Sequence, residues 1–342
     1  MSGFPHFRFG GTPAQRGAAY GETLRERIQT TYALYEDKLF AQSALSTSEI
    51  ESRANRVREI IIDFEPSYGV ELDTIATGAA LARWQIYALN ARTEILNTPV
   101  AECTALYFAD DAILGQNWDW VAALEDLAVL VTWDLPNGHQ VLSFTEPGML
   151  AKVGFNDRGL GVCLNILFAR HELNGLPVHV LIRALLDCGT IEQARVVLQR
   201  SGFGKSSHLL IADDQGNACS TEFVGHESFE VQPVDGVLLH TNHCIAAAAE
   251  SRTAIIPTTI ERLTQGASWL ERTAKRDLDT MRTILLDDSQ GAVSINGSYH
   301  SEPLLDGQDV GTCATILMDL KARTMQIKKG PGRLGEFASF SL

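Results

Sequence analysis

The order of blocks along this chain predicts an α+β fold, with helices packed outside antiparallel sheets. Three observations carry that expectation. The first hundred or so residues have helical periodicity, and the period changes to strand-like alternation at Cys103. Beyond that point the strand runs come in adjacent pairs, the clearest joined across Asn137-Gly138, a dipeptide suited to a tight hairpin. No regular βαβ alternation, the mark of a parallel sheet, is present.

A short strand-like lead, Phe7 to Phe9, meets the turn Gly10-Gly11-Thr12-Pro13, with Thr12 as helix cap and Pro13 at the first helical position. One helix is then expected to about Phe40, with Leu24, Ile28, Tyr32 and Leu39 near helical spacing. Ser46 or Thr47 caps a second helix through Ile50, Val57, Ile60 and Ile61, which Pro66 ends. Residues 67–96 read as two more helices, parted near Thr77-Gly78.

After Cys103, Thr104 to Ala109 and Ile113 to Val121 form a hairpin. Leu127 to Asp134 with His139 to Thr145, and Met149 to Phe155 with Gly159 to Phe168, form the next two pairs. Helices follow at about 178–188 and 190–200, the second capped by Thr190. Strands resume at 207–212, 218–224 and 237–240, and helices at 252–265 and 277–287. Residues 289–311 read as a surface loop, and a last hairpin spans 313–319 and 324–328.

The chain has 342 residues, 45% hydrophobic and 20% charged, enough for one large or two ordinary domains with a full core. Its net charge of −14 argues against nucleic acid or an anionic membrane as partner. No apolar run approaches the roughly 18 residues of a membrane span, and the N-terminus lacks the apolar core of a secretory signal. Six scattered cysteines without a CxxC pair suit reduced thiols in the cytoplasm.

Cys163, Cys188, Cys219 and Cys313 sit in apolar runs and read as small buried hydrophobes. Cys103 differs, standing where the helical block gives way to the sheet block, between Glu102 and Thr104. On the following strand, Asn117 and Asp119 share one face while Trp118 and Trp120 share the other. The tryptophans read as core. A two-residue turn, Asp110-Asp111, would put Cys103 on the tryptophan face. A three-residue loop, Asp110-Asp111-Ala112, would put it directly across from Asp119, and the catalytic reading requires that second register.

Other motifs carry less. His240-Thr241-Asn242-His243 lacks the spacing of a zinc ligand pair, so no metal is expected. Gly154 to Gly159 lacks the Gly-Lys-Ser/Thr ending of a phosphate cradle and reads as a turn.

Glu102-Cys103-Thr104, backed by Gln116-Asn117-Trp118-Asp119-Trp120, resembles the isopenicillin-N acyltransferase family, the C45-type peptidases among N-terminal-nucleophile hydrolases. The resemblance extends to Gly11-Thr12-Pro13 with Arg16-Gly17 and Tyr20-Gly21. It continues through Lys152-Val153-Gly154-Phe155-Asn156-Asp157-Arg158-Gly159, Asn165, and His240-Thr241-Asn242-His243. It implies a four-layer αββα fold and a zymogen that cuts itself between Glu102 and Cys103. Residues 1–102 and 103–342 would stay associated as one compact domain.

On that resemblance Cys103 is nucleophile and, once freed, its α-amine is base, with a reference pKa near 7.7–8.0. Asp119 would hold that amine, Asn242 would donate to the oxyanion, and Asn165 is a further substrate or oxyanion contact. The implied substrates are small N-acyl amides, linear or β-lactam-linked, with acyl-CoA as a possible donor and no cofactor. Two departures stand out. Relatives often carry glycine where this chain has Glu102, and a late arginine expected near residues 306–312 is not there. The alternative is an unprocessed, non-catalytic relative that binds a small acyl compound.

Overall fold

The computed structural model describes residues 3–96, 102–169, 175–202, 204–249, 253 and 257–342. Two sheets pack face to face. The first contains, in spatial order, β1 (His6–Gly10), β4 (Val129–Asp134), β5 (Gln140–Thr145), β6 (Val153–Asn156), β7 (Gly161–Ile166), β8 (Ser207–Ala212), β9 (Ala218–Val224) and β10 (Glu227–Glu230). The second runs β11 (Val237–His240), β2 (Glu102–Phe108), β3 (Ile113–Val121), β13 (Gln308–Asp319), β14 (Thr324–Lys329) and β15 (Ala338–Ser341), with β12 (His300–Glu302) on β13. Pairing is antiparallel except where β1 lies parallel to β4.

The helices α1 (Pro13–Thr23), α2 (Arg25–Leu34), α3 (Thr47–Phe64), α4 (Pro66–Ala79), α5 (Arg83–Asn90), α6 (Arg92–Leu96), α7 (Val178–Leu186) and α8 (Ile191–Arg200) lie on the first sheet's side. α9 (Pro257–Arg272) and α10 (Leu278–Leu285) cover the second. The order helix, sheet, sheet, helix is the αββα sandwich that the resemblance implied.

Local chemistry explains several helix starts. Thr12 and Ser46 each form a capping box with Gln15 and Glu49, and Thr190 caps α8. The expected single helix to Phe40 is instead broken at Leu24, with a π-helical turn at Tyr35–Leu39. α1 crosses α4 so closely that a Cβ at Gly21 would lie 2.4 Å from the Ile75 carbonyl oxygen, and one at Gly17 2.3 Å from that of Glu71. Those two glycines are what the crossing requires.

A buried ion cluster ties the crossing down. Arg16 Nη2 donates to Glu71 Oε2 at 2.5 Å, and Arg183 Nη1 donates to Glu71 Oε1 at 3.1 Å while its Nε donates to Asp187 at 2.8 Å.

Three strands escaped the periodicity. β10, β12 and β15 are four, three and four residues long, too short to show it, and β13 starts inside the expected surface loop.

Candidate active site

The β2–β3 hairpin has a different register from the one the catalytic reading required. Phe108 pairs with Ile113, so Cys103 lies opposite Trp118, and Glu102 is the residue opposite Asp119. The connection is four residues, Ala109 to Ala112, closed by Ala112 N–H donating to the Ala109 carbonyl at 3.1 Å. Ala112, with φ of 53°, takes the left-handed conformation, unusual for alanine. Neighbours hold it there: Ala109 N–H donates to Gly236 O, Leu320 N–H to Ala112 O, and Lys321 Nζ to Asp110 O at 2.6 Å.

Cys103 sits at the start of β2 and is buried. Its backbone is gripped from three elements. The Cys103 N–H donates to Asn242 Oδ1 at 2.7 Å. Asn242 stands two residues past β11, the strand next to β2, so it reaches the cysteine from the same sheet rather than the far one. Its Nδ2 donates to the Ile166 carbonyl at 3.0 Å, and its own N–H donates to Thr259 Oγ1 at 2.8 Å. Since Oδ1 also accepts from Arg262 Nη2 at 2.9 Å, both its partners are obligate donors and the amide has one satisfied orientation.

The far sheet contributes Asn165, on β7. Its Nδ2 donates to the Cys103 carbonyl at 2.9 Å, and its Oδ1 accepts from His208 Nδ1 at 2.9 Å. His208 stacks on His240 with ring centroids 3.6 Å apart. His240 Nε2 in turn pairs with Glu222 Oε1 at 2.8 Å. Burial first, and then the neighbouring His240, hold His208 well below the usual imidazole range, so it stays neutral and holds one face of Asn165.

Arg262 carries no expectation from the sequence, where a late arginine is expected only near residues 306–312. It projects from α9, fully buried, and its Nη1 donates to the Cys103 carbonyl at 2.8 Å and to Thr104 Oγ1 at 3.1 Å. A signal existed: Thr259, Arg262, Gln265 and Gly266 fall on the buried stripe of α9, where apolar residues are the rule.

Burial, then the Asp119 carboxylate, push the Cys103 thiol up to about 11. Lys152, the Asp119 backbone N–H and Arg262 act in the opposite direction. Trp118 and Trp120 are buried, the first edge-on to Phe144 and the second donating from Nε1 to Tyr35 OH at 3.1 Å. His243 bonds Thr259 Oγ1, and no group of three or more metal-ligating side chains occurs among the described residues. No helix among them is long and apolar enough to cross a membrane. All six cysteines are buried and unpaired.

Comparison with known proteins gives the family and the fold. The family model for acyl-coenzyme A:6-aminopenicillanic acid acyl-transferase matches residues 108–333. The acyl-coenzyme A:6-aminopenicillanic-acid-acyltransferase 40 kDa form of Emericella nidulans is 27% identical over 259 residues, covering 70% of this chain and 69% of its own length. Among solved structures, a mutant of conjugated bile acid hydrolase from Clostridium perfringens superposes with a TM-score of 0.50 at 14% identity, over 71% of this chain and 92% of that one. An N-acylethanolamine-hydrolyzing acid amidase ortholog from Caenorhabditis elegans aligns at TM-score 0.47 and 15% identity, over 64% of this chain and 93% of its own. The fold is that of the N-terminal-nucleophile hydrolases, and the chain belongs to the acyl-coenzyme A:6-aminopenicillanic acid acyl-transferase family.

Proposed function

We propose that this chain is a self-processing enzyme that cleaves or transfers the acyl groups of small N-acyl amides through a thioester on Cys103. The observation that carries the reading is the 2.7 Å bond from the Cys103 N–H to Asn242 Oδ1. Cleavage of the Glu102–Cys103 bond turns that nitrogen into an α-amine whose acceptor is already in place. The amine, titrating near neutrality, then serves as base for its own thiol.

Asp119 helps orient the amine. Asn242 Nδ2, held on the Ile166 carbonyl in the intact chain, is the donor offered to the oxyanion, where such a bond contributes on the order of 10²–10³ in rate. Asn165 and Arg262 fix the Cys103 carbonyl, which keeps the thiol at one place. No cofactor enters this scheme, and an acyl-CoA is one donor it admits.

Residues 1–102 would remain bound to 103–342, because the cut leaves β1 paired with β4 and Glu71 paired with Arg183. Six buried free thiols suit a reducing cytoplasm.

Intact mass on a purified, aged sample tests the reading. Two chains, 1–102 and 103–342, are expected from the wild type and one chain from Cys103→Ala, with turnover of N-acyl amides in the first alone. Cleavage of Cys103→Ala would sink it. The second reading, an unprocessed binder of an acyl compound, is favoured by the buried thiol lying up near 11. A wild-type chain that stays whole would select it.

A further inference from the structure

Before the cut there is no α-amine, so the scheme above leaves the first step without a base. Between the two sheets, beside the residue that pairs with Cys103, lies a cation that the scheme does not use. Lys152 immediately precedes β6 and is 4% exposed. Its Nζ stands 4.7 Å from the centroid of Trp118, the cross-strand partner of Cys103. Directly opposed residues of an antiparallel pair have Cβ atoms about 4.5–5.5 Å apart, so ammonium, indole and thiol form one neighbourhood.

The contacts of Lys152 are unevenly charged. Its Nζ donates to Glu146 Oε1 at 2.8 Å, and Arg92 Nη2 donates to the same oxygen at 2.8 Å. Tyr35 OH donates to Glu146 Oε2 at 2.6 Å. Two cations thus share one carboxylate in the interior, and of the two only lysine is able to give up its proton. Burial, and then the charge of Arg92, hold Lys152 down to about 8, with Glu146 opposing.

The other titratable groups that face it are Cys103 on β2 and His179 on α7. Burial and then Lys152 hold His179 well below its usual range, while Asp119 on β3 acts on the thiol. Glu94 lies beside the cluster, acting on Lys205 and on Arg92 and acted on by both.

We propose that Lys152 is the general base of the self-cleavage step, taking the Cys103 thiol proton while the chain is still whole. The inference rests on the reading of Cys103 as a self-processing nucleophile. The S–H bond breaks and its proton goes to the Nζ lone pair, giving a thiolate and an ammonium. The thiolate electron pair forms the C–S bond at the Glu102 carbonyl carbon. As the Glu102–Cys103 C–N bond breaks, the ammonium returns the proton to the departing nitrogen. Water then hydrolyses the thioester, leaving a Glu102 carboxylate and a free thiol, and Lys152 ends as it began. From there the α-amine takes over, so Lys152 serves the cut and not the later turnover.

Full-length chain made by cell-free translation at pH 6.5 and shifted to pH values from 6 to 11 tests this by intact mass against time. In the wild type the cleavage rate should rise with a midpoint near pH 8 and then level off. Lys152→Met leaves Arg92 and Glu146 as a one-to-one pair. Its cleavage at pH 8 should slow on the order of 10²–10⁴-fold, the usual contribution of a general base. Its rate should keep climbing across the whole range without a plateau, because the thiol, at about 11 with Lys152 beside it, loses a cation that lowers it.

Lys152→Arg keeps the charge and the contact with Glu146 but has no proton to release, so it should be as slow as Lys152→Met. Wild-type cleavage rates in Lys152→Arg, or a midpoint kept near pH 8 in Lys152→Met, would overturn the role of Lys152 alone. A wild type that never cleaves, or Cys103→Ala that does, would overturn the underlying reading instead.

Discussion

Two buried ion clusters in this molecule have the same ingredients and opposite characters. Beneath the α1–α4 crossing, Arg16 and Arg183 meet Glu71, and Arg183 also meets Asp187, so two cations face two carboxylates. Beneath Trp118 and Trp120, Arg92 and Lys152 meet Glu146 alone. The first cluster is balanced and built on guanidiniums that do not titrate, which suits a permanent clamp between helices. The second carries an excess cation, and that cation is the one able to lose its proton. A balanced buried cluster is a fixture, whereas an unbalanced one containing a lysine is able to exchange protons with its surroundings.

Substitutions on the two carboxylates separate them most sharply. Glu71→Gln strands Arg16 and leaves Arg183 with Asp187 alone, and both cations must stay charged. It should cost on the order of 3–5 kcal/mol, the usual penalty for breaking a buried pair, read by chemical denaturation and unchanged between pH 7 and 9.5. Glu146→Gln should cost as much at pH 7, but its penalty should shrink toward pH 9.5 as Lys152 sheds its proton. A pH-independent penalty in Glu146→Gln would erase the contrast.

The wild type itself gives a smaller effect at alkaline pH. Lys152 lies at about 8 in the folded chain against 10.5 unfolded, so between those values the unfolded state binds more protons. Stability should therefore rise as pH goes from about 8 to 10.5, and Lys152→Met should remove that rise. At acid pH the sign is the same, because the unfolded state again binds more protons. Burial opposes ionisation of Glu146, yet Arg92 and Lys152 outweigh it and hold the carboxyl at about 2. Its contribution is full above pH 4.5 and is lost as pH falls from there toward 2, a loss that Glu146→Gln should not show.

The smallest effect belongs to His208→Gln, whose amide is able to replace the imidazole N–H on Asn165 Oδ1. It should slow cleavage less than His208→Leu while leaving the pH 8 midpoint in place, because it acts on the position of Cys103 and not on the base. Equal rates in the two variants would mean that Asn165 needs no partner.

The candidate site was unevenly legible. Cys103 stood out because a cysteine at a change of period is unusual, and Asn165 and Asn242 came with the motif resemblance. All three do meet, at the Cys103 backbone. The register did not follow, because a loop built on two adjacent aspartates has several closures of similar local cost. The choice was made by Gly236, Leu320 and Lys321, far away in sequence. Arg262 stayed hidden because a single arginine in a helix is ordinarily a surface residue. Lys152 is marked in the sequence only as the first residue of a run that carries the resemblance, since nothing local shows which carboxylate it meets.

By itself the sequence determined the α+β class, most helices and strands, the caps at Thr12, Ser46 and Thr190, and the cysteine around which the site is built. Periodicity and capping are local, and local chemistry is written in consecutive residues. Only the tertiary structure decided that Cys103 faces Trp118, that Asn242 comes from the same sheet, and that Arg262 and Lys152 converge on that place. Those outcomes depend on how two sheets and an outer helix stack, and Arg262 lies 159 residues along the chain from the Cys103 carbonyl it binds.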